Sequence, residues 1–147
     1  MGKAATDFFT REQKEAIKLA VQQAEKETSG EIRVHIENVC EGDVLDRAAT
    51  VFDKLGMTQT EQRNGVLFYV ALKSHKFAIL GDLGINAKVP KNFWESTKEK
   101  IIEHFKEGLF AEGLIEGVTL AGKELKQWFP YQTDDVNELP DDISFGK

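Results

Sequence analysis

The sequence predicts a single α/β domain in which helices cover both faces of a mixed β-sheet, an α/β/α sandwich. Segments with the apolar spacing of helices alternate with short runs of strand-forming residues, which is the order of a layered α/β domain. The length of 147 residues suits one domain with an ordinary core. We expect an N-terminal segment over residues 1–10, the domain over 11–130, and an acidic C-terminal tail over 131–147 that lies on the surface or stays loose.

The first helix and the first strand have clear local signals. Thr10 and Gln13 have the spacing of a capping box, so the helix is expected to begin after Thr10. Ser29-Gly30 is expected to end it, because glycine tolerates the left-handed backbone of a helix C-terminus. Residues 31–37 alternate polar and apolar side chains, which indicates a half-buried strand.

A second helix and a fully buried strand follow. Asp43 is the expected N-cap of this helix and Gly56 its end. Its buried face is predicted to consist of Leu45, Ala48, Ala49, Phe52 and Leu55. Residues 65–71 are apolar on both faces, so this strand is placed in the middle of the sheet.

The remaining elements are a hairpin strand and two helices. A tight turn at residues 73–75 leads into a strand over 76–80, which returns antiparallel. Pro90 is expected at the first position of a third helix, since proline fits there without losing a hydrogen bond. A fourth helix is predicted from about Leu109 to Trp128.

This order brings three loops to one edge of the sheet. The first two strands and the helix between them form a βαβ unit, so the strands should be parallel with a right-handed crossover. The starts of these strands and the end of the third strand then meet at the same edge. The residues there are Ser29-Gly30-Glu31, Arg63-Asn64-Gly65 and Gly81-Asp82-Leu83-Gly84.

The side chains at this edge suggest a site for a hard cation. Calcium and magnesium prefer oxygen ligands, and Glu31, Asn64 and Asp82 offer three. Asp134 and Asp135 are expected to approach the same edge. The alternative is structural: Glu31 is then a solvated strand residue, while Asn64 and Asp82 stabilise turns.

Several short segments follow one another in a recognisable order and spacing. They are Thr28-Ser29-Gly30-Glu31-Ile32-Arg33-Val34, Arg47-Ala48 to Leu55-Gly56-Met57, Arg63-Asn64-Gly65-Val66-Leu67, Ile79-Leu80-Gly81-Asp82-Leu83-Gly84-Ile85, Phe93-Trp94, and the glycines Gly108, Gly113 and Gly117. No single motif is specific, but their order and spacing together make the chain resemble the TPM domain family, over roughly residues 8 to 130.

The resemblance implies a sheet sandwiched by helices, in a family linked to photosystem repair in plants and to receptor modulation in animals. Weak acid phosphatase activity and calcium binding are attributed to members. Glu31, Asn64 and Asp82 stand at matched motif positions. The sequence departs from relatives that carry a signal peptide and a membrane-spanning tail, and Leu109 follows Gly108 where relatives often have aspartate.

Two functional hypotheses follow, from different classes. The first is a binding module with a calcium or magnesium site that presents a surface to an unidentified protein partner. The second is a weak metal-assisted acid phosphatase, a phosphomonoester hydrolase. The sequence has neither a phosphate-cradling glycine loop nor an evident nucleophile, so no catalytic residue is assigned. A scaffold without any ligand is the third possibility.

Composition excludes other classes. The net charge is −6 with no basic cluster, which argues against nucleic acid. No stretch approaches the roughly 20 apolar residues of a membrane span, and a cytoplasmic location is expected. The single cysteine, Cys40, is interpreted as structural, and the three histidines lack zinc-site spacing. Arg47 is interpreted either as a surface residue pairing with Asp43 or Asp46, or as part of a scaffold salt bridge.

Overall fold

A computed structural model describes residues 7–131 and 139–146. The elements in this part of the chain follow one another in the order below. They are α1 (Arg11–Ala24), β1 (Glu31–Glu37), α2 (Val44–Lys54), a 3-10 turn (Met57–Gln59), β2 (Gly65–Ala71), β3 (Lys76–Gly81), α3 (Leu83–Lys88), α4 (Glu95–Lys106), α5 (Phe110–Leu125) and β4 (Ser144–Phe145).

The first two helices begin at the predicted caps. The Thr10 hydroxyl accepts a hydrogen bond from the Gln13 amide at 3.1 Å, and the Gln13 side chain accepts one from the Thr10 amide at 2.9 Å. Asp43 caps α2 by accepting from the Asp46 amide at 3.0 Å. The predicted end of α1 is wrong, since the helix stops at Ala24. Residues 25–27 form a turn instead, and Thr28 pairs with Pro130 in an isolated β-bridge.

The four strands form one sheet in the order β3-β2-β1-β4. β1 and β2 are parallel, and β2 and β3 form an antiparallel hairpin, as predicted. β2 is buried along its whole length, which confirms its place in the interior of the sheet. β4 was not predicted: it lies parallel to β1, with Ser144 opposite His35 and Phe145 opposite Ile36.

Helices cover both faces of the sheet, which confirms the sandwich. On one face α1 and α5 pack on each other and α5 packs on α4, over a core that includes Val66, Phe68 and Val70 of β2. On the other face α2 and the 3-10 turn cover the alternate residues of β2, Leu67, Tyr69 and Ala71. Each face of this central strand therefore contributes to a separate cluster of buried side chains.

The predicted half-exposure of β1 is wrong. Its polar residues Glu31, His35 and Glu37 are 4%, 6% and 1% exposed. Strict alternation of polar and apolar residues normally marks one solvated face. Here β2 and β4 flank the strand, and α2 supplies Arg47 to Glu37 on the polar face, so these side chains are buried among hydrogen-bonding partners.

Helix α2 buries a narrower face than predicted. Ala48, Val51 and Phe52 are buried, while Leu45 is 52% exposed and Ala49 is also exposed. Leu45 lies in the first turn of the helix, where the chain has only begun to approach the sheet.

The helix boundaries in the second half of the chain differ from the predicted ones. The six-residue helix α3 was not predicted, and α4 begins at Glu95 rather than at Pro90. α5 runs from Phe110 to Leu125 within the predicted range. In the described part of the chain, no helix has the length and apolar character needed to cross a membrane.

Part of the C-terminal segment is integrated into the fold. Leu139 is 7% exposed, and Asp142 forms a salt bridge of 2.9 Å with Lys18 of α1. Together with β4, these contacts hold residues 139–146 against the sheet and α1. Asp134 and Asp135, which were expected near the cation edge, lie outside the described residues.

Candidate functional site

Three loops meet at the amino-terminal ends of β1 and β2, as the topology predicted. Glu31 stands opposite Gly65, and Gly81 stands opposite Val66. The Glu31 amide donates to the Asn64 carbonyl at 3.0 Å, and the Asp82 amide donates to the Gly65 carbonyl at 2.9 Å. We call the side chains of Glu31, Asn64 and Asp82 the edge cluster; all three are at least 94% buried.

The Asn64 side chain has one unsatisfied end. Its Nδ2 donates to the Ser29 carbonyl at 2.9 Å, and its backbone amide donates to the Thr60 hydroxyl at 3.2 Å. Its Oδ1 is buried and has no hydrogen-bond partner among the described residues. A buried polar atom without a partner costs about 1–3 kcal/mol, so a water molecule or a ligand is expected to satisfy it.

Asp82 has partners on both carboxylate oxygens. Arg63 donates to Oδ2 at 2.7 Å and to Oδ1 at 2.8 Å, and the Leu83 amide donates to Oδ1 at 2.8 Å. Asp82 is thus the N-cap of α3 and one half of a two-bond ion pair. The Arg63 side chain is 41% exposed, so the pair is accessible from solvent on the arginine side.

A further carboxyl group, which the sequence reading missed, lies near Glu31. Glu25 follows α1, and its Oε2 accepts from the Ile32 amide at 3.0 Å. Burial raises the pKa of Glu25 to about 11, and a hydrogen bond with Asp141 and the charge of Glu31 act in the same direction. Burial therefore favours the neutral form of this carboxyl group. Its position in a turn gave no sequence signal for this contact.

No set of three or more histidine, cysteine, aspartate or glutamate side chains in residues 7–131 and 139–146 is arranged to hold a metal ion. The edge of the sheet carries two carboxylates, those of Glu31 and Asp82, and the amide oxygen of Asn64. A cation there would need backbone carbonyls or water to complete its coordination, as calcium and magnesium commonly accept.

A second polar cluster lies at the opposite, carboxyl end of β1. Glu37 accepts two hydrogen bonds from Arg47, at 2.8 Å and 2.9 Å, one from the His35 Nε2 at 3.0 Å, and one from the Tyr69 hydroxyl. We call these four residues the Glu37 cluster. Arg47 pairs with Glu37 rather than with Asp43 or Asp46, so it links α2 to β1 as a scaffold salt bridge.

Burial and hydrogen bonds together set the protonation states of the residues in this cluster. Burial alone would raise the pKa of Glu37, but the hydrogen bonds from Arg47, Tyr69 and His35 lower it to about 2. Burial lowers the pKa of His35, against the raising effect of Glu37. Burial and the bond to Glu37 raise the pKa of Tyr69. At neutral pH the cluster therefore contains an ionised Glu37, a neutral His35 and a neutral Tyr69.

Other residues singled out from the sequence have structural surroundings. Cys40 is 4% exposed, and its carbonyl accepts from the Lys76 ammonium at 3.0 Å. Gly113 and Gly117 allow α5 to pack closely on α4, because their nearest neighbours are His104, Phe105 and Ile101. Phe129 is 3% exposed and anchors the segment after α5.

Comparisons with known proteins give one family and two structures of similar fold. The model of the TPM domain matches residues 3–124. The BA42 protein of the psychrophilic bacterium Bizionia argentinensis is 48% identical, with a TM-score of 0.91 over 95% of this chain and 97% of that one. The N-terminal domain of a protein from P. gingivalis shares the fold at 19% identity, with a TM-score of 0.69 over 86% and 83% of the two chains. No curated protein matches the sequence. The chain belongs to the TPM domain family.

Proposed function

We propose that this TPM domain is a binding module that takes up a divalent cation, calcium or magnesium, at the edge cluster. The observation that carries the proposal is the buried Oδ1 of Asn64, which has no partner among the described residues. A hard cation would satisfy this oxygen, and Glu31 lies on the neighbouring strand with its amide bonded to the Asn64 carbonyl.

Asp82 is the third proposed ligand, and its ion pair with Arg63 sets a condition on binding. Both oxygens of Asp82 already accept hydrogen bonds from the guanidinium. Because the Arg63 side chain is 41% exposed, it can turn into solvent when a cation approaches. The divalent cation would then place two positive charges next to the buried carboxylates, where the Arg63 guanidinium had placed one.

Binding would act on the loops that supply these residues. Residues 56–64 form the loop that ends at Asn64, directly before β2, and residues 81–89 contain the short helix α3. An ion held between them would order both segments and lower the local negative charge of a protein whose net charge is −6. We propose that this edge then presents a surface to a protein partner.

Titration of calcium, then magnesium, into metal-free ¹⁵N-labelled protein tests the site. We expect saturable amide shifts confined to residues 28–31, 56–65 and 81–90. In Asp82→Asn, which keeps a side-chain acceptor for the α3 cap, affinity should fall by roughly tenfold or more, because the ligand loses its charge. Asp46→Asn, at an exposed position of α2, is the matched control and should not change the affinity. Equal affinities in wild type and Asp82→Asn would contradict the proposal.

Arg63→Gln should have the opposite effect on the same titration. The guanidinium competes for Asp82 and repels an arriving cation, so its removal is expected to strengthen calcium binding by roughly threefold to tenfold. Lys91→Gln removes one exposed charge outside the cluster and serves as the control for general electrostatics. Weaker binding in Arg63→Gln would show that the arginine holds the site together instead of competing for it.

A metal-assisted phosphomonoesterase is the second candidate, and the name of the matching family model, TPM phosphatase, favours it. A bound cation with an open coordination position would polarise a phosphate and activate water. Hydrolysis of p-nitrophenyl phosphate that disappears both on chelation and in Asp82→Asn would support this activity. Hydrolysis that survives both treatments would assign it to another source.

A further inference from the structure

A serine, a histidine and a glutamate form a continuous hydrogen-bonded relay across β4 and β1. The Ser144 Oγ lies 2.9 Å from the Nδ1 of His35, and the Nε2 of His35 lies 3.0 Å from the Oε1 of Glu37. The relay arises because Ser144 stands directly opposite His35 in the parallel pairing of the two strands. His35 and Glu37 are 94% and 99% buried.

The direction of the hydrogen bonds follows from the charge of Glu37. An ionised carboxylate only accepts, so the Nε2 of His35 carries the ring proton. In neutral histidine the other nitrogen, Nδ1, then bears the lone pair and accepts the Ser144 hydroxyl proton. This is the arrangement of a hydroxyl nucleophile, a general base and a carboxylate that orients the base. The two ring nitrogens have exchanged roles relative to the common serine hydrolase triad.

The relay opens into a cleft at the surface. Ser144, His35 and Glu37 all line it, so a molecule in the cleft would reach the relay from solvent. Apolar side chains form part of its wall, and charged side chains form another part, namely the cations Arg47 and Lys54 and the anion Glu41. The apolar lining consists of Val39, Val51, Leu55 and Phe145.

We propose that Ser144 is a nucleophile toward small carboxylic esters with an apolar acyl group, with His35 as general base and Glu37 as its positioning residue. This activity would be separate from the edge cluster at the opposite end of β1. The apolar lining suits the acyl group, and the ammonium of Lys54 is the cation of the cleft that lies outside the Glu37 cluster. Positive charge near the cleft favours attack at a carbonyl, whose oxygen becomes negative.

The proposed reaction has two balanced steps. In the first, the Ser144 Oγ attacks the ester carbonyl while its proton passes to the Nδ1 of His35. The bond to the alcohol oxygen then breaks, and the alcohol leaves with that proton, which gives an acyl-serine. In the second, His35 takes a proton from water, the resulting hydroxide attacks the acyl carbonyl, and Ser144 regains its proton as the acid is released.

Covalent labelling tests the nucleophile directly. Diisopropyl fluorophosphate phosphorylates an activated serine with loss of fluoride, and the added mass is located by peptide mass spectrometry. We expect one label, on Ser144, in the wild-type protein and none in Ser144→Ala. Ser96→Ala is the matched control, because Ser96 is an exposed serine whose hydroxyl donates directly to a carboxylate, that of Glu124, instead of to a histidine. It should label like the wild type.

His35→Gln distinguishes a base from a structural hydrogen bond. Loss of a general base is expected to slow labelling of Ser144 by about 100-fold or more. An amide spectrum of the variant checks that β4 remains paired with β1. Absence of label on wild-type Ser144, or labelling at an equal rate in folded His35→Gln, would overturn the proposal and leave the Ser144–His35 bond as a strand contact.

The pH dependence of labelling in the wild-type protein gives an independent measurement if His35→Gln does not fold. The groups that act on His35 are Glu37 and Arg33 of β1, Arg47 of α2 and Ser144 of β4, with Tyr69 of β2 stacked on its ring. Protonation of His35 removes the lone pair that Ser144 uses. The rate should therefore fall with acid along a single-proton curve, centred below the ordinary histidine pKa of 6.5. A rate that instead follows free hydroxide across this range would refute the relay.

Hydrolysis of p-nitrophenyl butyrate measures turnover by the same residues. The activity should be lost in Ser144→Ala and kept in Ser96→Ala. It should also persist when a chelator removes calcium and magnesium, which separates this proposal from the cation site. Equal hydrolysis by wild type and Ser144→Ala would contradict the assignment.

Discussion

Replacing Glu37 with alanine is expected to lower the free energy of unfolding by about 3–5 kcal/mol, the cost of breaking a buried ion pair by removing one partner. The variant leaves Arg47, His35 and Tyr69 without the carboxylate that all three bind. Tyr69 is fully buried and His35 nearly so, so water cannot easily replace the lost acceptor. Urea unfolding of both proteins measures the difference.

The control for this variant is Glu41→Ala, which removes an exposed glutamate from the loop after β1. Its free energy of unfolding should change by no more than about 0.5 kcal/mol, as for most surface substitutions. If the free energy of unfolding of Glu37→Ala falls by less than about 1 kcal/mol, the Glu37 cluster relaxes around the gap and does not fix α2 on the sheet.

The same residue sets an acid dependence of stability. The folded-state pKa of Glu37 is depressed, to about 2 from an ordinary value of 4.5, so the stabilisation is complete above pH 4.5 and is lost as the pH falls through about 2. The difference in unfolding free energy between wild type and Glu37→Ala should therefore shrink over this interval. A difference that stays constant from pH 6 to pH 2 would contradict an ionised, hydrogen-bonded Glu37.

Much of the fold follows from local signals in the sequence. The capping box at Thr10 and the cap at Asp43 locate two helix starts, and the apolar run of β2 locates the interior of the sheet. β4 has only two residues, too few for any periodicity to be detected. The burial of His35 and Glu37 could not be predicted in this way either. The alternation of residues within one strand does not indicate which side chains of other elements will pack against that strand.

The meeting of the three loops was predictable, but the contacts of their side chains were not. The parallel pairing of β1 with β2 and the antiparallel return of β3 suffice to bring Glu31, Asn64 and Asp82 to one edge. The two hydrogen bonds between Arg63 and Asp82 depend on side-chain direction, which sequence spacing does not determine. Ser144 could not be matched to His35, because the pairing joins residues 109 positions apart through a strand without a sequence signal.

Gly84→Ala is expected to destabilise the protein by about 3 kcal/mol, the upper part of the range for an overpacked site. A methyl group there would overlap the carbonyl oxygen of Gln62 and lie 2.7 Å from that of Arg63. Both obstacles are backbone atoms, so no side-chain rotation relieves the contact. The Gly84 amide also donates to the Arg63 carbonyl at 2.9 Å, which holds the two segments at this separation.

Gly108→Ala separates this steric cost from the cost of backbone conformation. Gly108 has a φ of 78°, and an added methyl group would meet nothing within 4 Å, so only the left-handed conformation is penalised, by about 1–2 kcal/mol. In urea unfolding Gly84→Ala should therefore lose more stability than Gly108→Ala. Amide shifts in Gly84→Ala should spread to residues 62–64, because the loop that carries Asn64 must move to admit the methyl group. Equal losses in the two variants, with shifts limited to α3, would mean that α3 tilts away instead and leaves the edge cluster undisturbed.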